Sequence, residues 1–151
     1  MKTRIPYLVI VFATLLPLSV AAQVPTFHVL VLDALNGRPQ AQVKVNYFCE
    51  ALGSKRDSVK TGVDGKAEIP FECANGARIE IWLIPPGDKD ECGGVEPLKI
   101  GDILTAGFIS EPNGAGNDWC PNKQRRKLHP VPGQVTVFVK KPTWWQAHVA
   151  G

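Results

Sequence analysis

The sequence lacks most of the spacings that enzyme chemistry leaves in a chain. It has no His-Glu-x-x-His pair, no Gly-x-Ser-x-Gly elbow and no phosphate-cradling glycine loop. Each absence removes the motif that would argue for a zinc peptidase, a serine hydrolase of that type or a nucleotide binder. No two cysteines are spaced Cys-x-x-Cys and the three histidines are scattered, so zinc spacing is missing too. Net charge is also small, 17 Lys and Arg against 14 Asp and Glu. A charge so near balance gives no global case for nucleic acid or for an anionic membrane as partner. No segment carries the apolar repeat of a long amphipathic helix.

What is present begins with an export signal. Met1, Lys2 and Arg4 open the chain, and residues 5–22 carry no charge. A basic start, an apolar middle and small residues at the end make a secretory leader. Val20 and Ala22 fill the −3 and −1 positions for cleavage before Gln23, with cleavage after Ala21 the neighbouring alternative. Loss of the leader takes the formal charge from +3 to +1 by removing Lys2 and Arg4. The expected organisation is a signal peptide over 1–22, one β-sandwich domain over 23–141 and a Trp-containing tail over 142–151. The expected location is secreted or periplasmic, with a membrane reached only through an uncleaved leader.

Cys49, Cys73, Cys92 and Cys120 all follow the leader. An even count in an exported chain reads as disulfides, and four cysteines allow three pairings. Counting strands alternately up and down places Cys49, Cys73 and Cys120 at one pole. This favours Cys49–Cys73, with Cys92–Cys120 formed only where the long loop folds back.

Short apolar runs separated by Gly and Pro clusters then read as strands. Phe27–Asp33 is strand A, with both faces apolar. Ala41, Val43, Val45 and Tyr47 alternate with Gln42, Lys44 and Asn46 in strand B. Residues 50–57 read as loop, and Ser58–Thr61 as a weak strand C. Ala67, Ile69 and Phe71 point inward from strand D, and Ile79, Ile81 and Leu83 from strand E. Leu98–Ile109 reads as strand F, bent or bulged at Gly101 or Gly107, and Val135, Val137 and Val139 mark strand G. Asn36-Gly37 and Asp64-Gly65 are turn pairs. The expectation is an all-β, seven-stranded, immunoglobulin-like or prealbumin-like antiparallel sandwich after an N-terminal signal helix. Residues 111–133 form a long surface loop.

Two stretches carry a resemblance. Val31-Leu32-Asp33-Ala34-Leu35-Asn36-Gly37-Arg38-Pro39-Gln40-Ala41-Gln42-Val43-Lys44-Val45 is similar to the strand, Gly turn, Pro and valine strand of the carboxypeptidase regulatory-like family. Thr61-Gly62-Val63-Asp64-Gly65-Lys66-Ala67-Glu68-Ile69 resembles that family's threonine, Asp-Gly turn and next strand, and the likeness covers about residues 26–84. It implies a prealbumin-like sandwich without catalysis, serving as a binding or accessory module in extracytoplasmic proteins.

The side chains sort accordingly. His28 lies on strand A and reads as a satisfied sheet histidine, and His129 as a solvated loop residue. Asp88, Asp90 and Glu91 lack the spacing of a calcium loop. The candidate partner-binding residues are the basic run Lys123, Arg125, Arg126 and Lys127 and the tail pair Trp144 and Trp145. Exposed aromatics often mark interfaces. No catalytic set, cofactor or metal is expected. The partner class is an envelope protein or a carbohydrate, not nucleic acid. The alternatives are a small extracytoplasmic hydrolase and a surface fibre or adhesin subunit. N-terminal sequencing of the exported product is expected to begin at Gln23, and an intact Met1 on a membrane-bound product would refute cleavage.

Overall fold

Alternating β-branched residues dictate most of the backbone, because they suit a pleated sheet with one apolar face. A computed structural model describes residues 26–49, 56–70, 78–92, 95–111, 120–121 and 123–141. The leader with Ala22, Cys73, and the tail with Trp144 and Trp145 lie outside the described residues.

The strands are β1 (Thr26–Asp33), β2 (Lys44–Cys49), β3 (Arg56–Lys60), β4 (Lys66–Pro70), β5 (Arg78–Ile84), β6 (Asp90–Glu91), β7 (Val95–Lys99), β8 (Phe108–Ile109) and β9 (Gln134–Lys140). One short helix, α1 (Ile100–Ala106), follows β7 directly. One sheet has the order β4-β1-β9-β6, with β8 also on β9; the other runs β3-β2-β5-β7. Phe27, Val29, Val31, Val135 and Val137 of the first sheet meet Val43, Val45, Ile79 and Ile81 of the second, all at most 2 % exposed. The chain is therefore an all-β sandwich with one helical insertion.

Two expectations are corrected. The seven strands become nine among the described residues, because the segment read as one strand F is β7, α1 and β8 in succession and Asp90–Glu91 forms a further strand, β6. Ile100, Ile103 and Leu104 stand at helical spacing, and the first two are almost fully buried at the end of the core. Gly107 then ends the helix with its N–H on the carbonyls of Asp102 and Ile103. Nor is the sandwich wholly antiparallel: β1 runs parallel to β9, from His28↔Gln134 to Asp33↔Val139, and β8 is also parallel to β9.

The turns follow from their side chains. Asp33 Oδ1 accepts the N–H groups of Leu35 and Asn36, and Gly37 closes the reversal at φ 73°. Gly65, at φ 72°, packs so closely that a Cβ there would lie 2.8 Å from the Val31 carbonyl oxygen. Buried Thr61 donates to the Gln40 carbonyl at 2.6 Å and accepts the Val43 N–H at 3.0 Å. One hydroxyl thus holds the start of β2 against the end of β3.

The loop over 111–133 carries more structure than expected. Its described part contains a 3-10 helix at Arg125–Lys127. Cys120 and Leu128 pack on a second apolar cluster of Leu32, Ala34, Cys92, Ile109 and Phe138, on the outer side of the first sheet. Cys92 and Cys120 are joined by a disulfide. Cys49 is disulfide-bonded as well; the favoured Cys49–Cys73 pairing involves a residue outside the described ones.

Gly107 sits at φ 75° and ψ 174°, a region open essentially to glycine, and a Cβ there would fall 2.1 Å from the Val131 carbonyl oxygen. Gly87 has a similar φ of 74°, but a Cβ there would meet nothing within 4 Å. In urea unfolding, Gly87→Ala is expected to cost about 1 kcal/mol and Gly107→Ala roughly 3 kcal/mol or more. Equal costs would show that backbone conformation alone, without the contact to Val131, sets the penalty.

Candidate binding surface

Pairing register assembles a surface that no local motif displays. Val45 faces the core, so its strand neighbours Lys44 and Asn46 face outward, as Phe48 does two residues further on. Across the ladders, Lys44 lies between Lys60 and Ile84, Asn46 between Ser58 and Trp82, and Phe48 between Arg56 and Glu80. Arg78 and Lys99 extend the same face onto β7. The outer side of the second sheet thus carries a half-buried Trp82 and Phe48 and an exposed Ile84, ringed by five basic side chains and one acid.

None of these five cations is in an ion pair among the described residues. The Arg56 guanidinium stands 6.0 Å from the centroid of the Trp82 ring, within reach of its electron-rich face. Between Ser58 and Trp82, Asn46 is only 8 % exposed, and its Nδ2 finds no acceptor among the described residues. A buried amide donor without a partner costs roughly 1–3 kcal/mol. Such a group at the centre of an aromatic and basic patch is suited to a ligand that brings an acceptor.

A second depression lies at the end of the first sheet. It measures about 590 Å³ and is walled by Phe108, Glu111, Arg125, Arg126, Leu128 and His129 among others. Two residues of the expected basic run reach it. Arg125 is already committed there, donating to the Ser110 carbonyl at 3.2 Å and pairing with Glu111 at 2.5 Å. Arg126 and His129 are exposed at the rim, and Lys123 and Lys127 are exposed outside its wall. Arg125 therefore anchors the returning segment, and the run is divided between a structural and a solvated role.

No family model matches this chain, and neither does any curated protein or solved structure. The function must therefore be argued from the site itself.

Other ionisable groups are accounted for locally. His28 Nδ1 lies 3.9 Å from Glu68 across the β1–β4 ladder. Asp88 is held below its usual value by the hydrogen bond from Lys141, 2.7 Å away. No cluster of three or more His, Cys, Asp or Glu suited to a metal occurs among the described residues.

Sequence reasoning did not single out Arg56, Trp82, Phe48 or Asn46. Lys44 and Asn46 were legible as outward residues. Residues 50–57, however, read as loop and so hide Arg56, and without the register nothing in the sequence sets Trp82 beside Asn46.

Glu91, on β6, is pushed up to about 6 from its usual 4.5 by burial, against the opposing pull of the Leu83 N–H at 3.0 Å. Its Oε1 has no hydrogen-bond partner among the described residues. The native state therefore keeps a proton that the unfolded chain releases between these two values, so stability falls as pH rises through that window. The loss is on the order of 1–2 kcal/mol after discounting for partial exposure. The Asp88 contribution lies below its ordinary 3.8, outside this window. Urea titrations between pH 4 and 7 are expected to show the decline in the wild type and a flatter profile in Glu91→Gln, which should be the more stable of the two at pH 7. An unchanged slope in the variant would remove Glu91 as the cause.

Proposed function

We propose that this protein is an exported, non-catalytic binding module of the carboxypeptidase regulatory-like type, acting in the cell envelope or outside the cell. In this reading the sandwich is a prealbumin-like scaffold, and the outer side of its second sheet is the working surface. The observation that carries the reading is the buried Asn46 amide beside Trp82, which has no hydrogen-bond partner among the described residues and is surrounded by cations that have no counter-ion among them. Isolated exposed charges are ordinary. Five gathered around aromatic side chains and a buried donor, with no ion pair among the described residues, are suited to recognition.

Export is supported by the leader over 1–22 and by the disulfide chemistry, since such bonds persist in oxidising compartments. Among the described residues no helix is long and apolar enough to cross a membrane. The carboxypeptidase regulatory-like reading rests on the resemblance over residues 31–45 and 61–69, and the positive-φ turns at Gly37 and Gly65 are compatible with it.

Co-sedimentation of the full chain with purified cell envelopes tests the reading. Retention is expected to fall about tenfold in Trp82→Ala/Arg56→Ala. The same assay on Trp144→Ala/Trp145→Ala measures the tail separately. Equal retention of wild type and the Trp82→Ala/Arg56→Ala variant would eliminate the sheet face as the binding surface.

A further inference from the structure

We propose that the outer face of β2, β3 and β5 binds a uronate-bearing polysaccharide. The inference rests on the binding-module reading above and specifies its ligand. Three features of the face each constrain that ligand.

The first is charge. Lys44, Arg56, Lys60, Arg78 and Lys99 have no anionic partner among the described residues, and Glu80 is the one acid at the register-paired outward positions. Outward residues recur every ~6.7 Å along a strand and every ~4.8 Å between strands. A ligand that satisfies such a lattice carries repeated negative charges rather than one. Arg56 and Arg78 favour planar carboxylates, which a guanidinium meets with two parallel hydrogen bonds.

The second feature is apolar. Trp82, Phe48 and Ile84 share this face with the cations. The C–H face of a pyranose ring packs on an indole while its hydroxyls stay directed to the side. An acidic peptide offers charge without that flat apolar repeat.

The third is the Asn46 Nδ2, a buried donor awaiting an acceptor such as a ring hydroxyl or carboxylate oxygen. Nucleic acid also combines repeated charge with flat rings. The Cys92–Cys120 bridge and the bonded state of Cys49 favour the glycan, because they indicate an oxidising compartment.

The test is affinity electrophoresis of the full chain in gels containing alginate as polyuronate, pullulan as neutral glucan, or single-stranded DNA. Alginate is expected to retard the wild type, with retardation weakening as salt rises, and pullulan to have no effect. Trp82→Ala is expected to weaken alginate binding about tenfold. Arg56→Gln/Lys60→Glu, two changes on an exposed edge strand, should weaken it at least as much while leaving the thermal midpoint near wild type. Lys123→Ala/Lys127→Ala, away from this face, should bind as wild type does. Absence of alginate retardation, retardation unchanged by Arg56→Gln/Lys60→Glu, or tighter binding of DNA than of alginate would each overturn the proposal. If any of these occurs while envelope retention still depends on Trp82 and Arg56, the glycan class falls and the binding-module reading stands. If that dependence is lost too, both fall.

Discussion

The parallel pairing of β1 with β9 is the constraint on which the rest of the architecture depends. It joins an early strand of the described chain to the last one and puts β9 in the middle of its sheet. Val135, Val137 and Val139 face the sandwich core, while Thr136, Phe138 and Lys140 face the other way and are buried as well. A strand buried on both sides needs cover on its outer face, and the chain supplies this from its own long connection. Cys120 and Leu128 lie over Phe138, and the Cys92–Cys120 bridge ties that connection to the end of β6. With a sequence separation of 28, such a bridge stabilises by roughly 3–4 kcal/mol in the chain-entropy model.

The consequence is a sandwich whose two outer faces differ in kind. The first sheet is roofed by the second apolar cluster, with Gln124 hydrogen-bonded to the Leu35 carbonyl and Arg125 to that of Ser110. On the second sheet Lys44, Arg56, Ser58, Lys60 and Ile84 are exposed. Its edge strand β3 carries Arg56 and Lys60, charges of the sort that discourage pairing with another sheet edge. That edge is thus protected against self-association, while the face beside it has no covering segment among the described residues.

How much of this the sequence disclosed depends on whether the signal was local. The alternation Val43-Lys44-Val45-Asn46 showed a half-buried strand, and Asp64-Gly65 showed a turn, because each is written within a few residues. Leu98–Ile109 misled because Ile100, Ile103 and Leu104 fit a bent strand about as well as a single helical turn, and only their burial at the end of the core separates the two. The parallel β1–β9 ladder left no local trace. β1 is apolar on two faces, as parallel strands often are, but β9 alternates its valines with Gln134, Thr136 and Lys140 and so looks like a half-buried antiparallel strand. The candidate binding surface was hidden for the same reason. Asn46, Trp82 and Ser58 are neighbours through register, a long-range property.

The near-neutral charge of the chain deserves the same local treatment, since it averages two unlike regions. Acids and bases do meet around the first sheet and the segments attached to it: Glu68 with His28, Glu111 with Arg125, and Asp88 with Lys141. Exposed pairs of this kind stabilise a fold little. Their effect is to cancel the field where they stand. Among the described residues the outward cations of the second sheet have no such partners, and Arg56 stands over the Trp82 ring. A total charge of +3 therefore says little about what this surface attracts. The potential at a surface is set by charges within about a Debye length, ~8 Å at physiological salt. Over that distance the register-paired outward positions of the second sheet present five cations and one acid, Glu80.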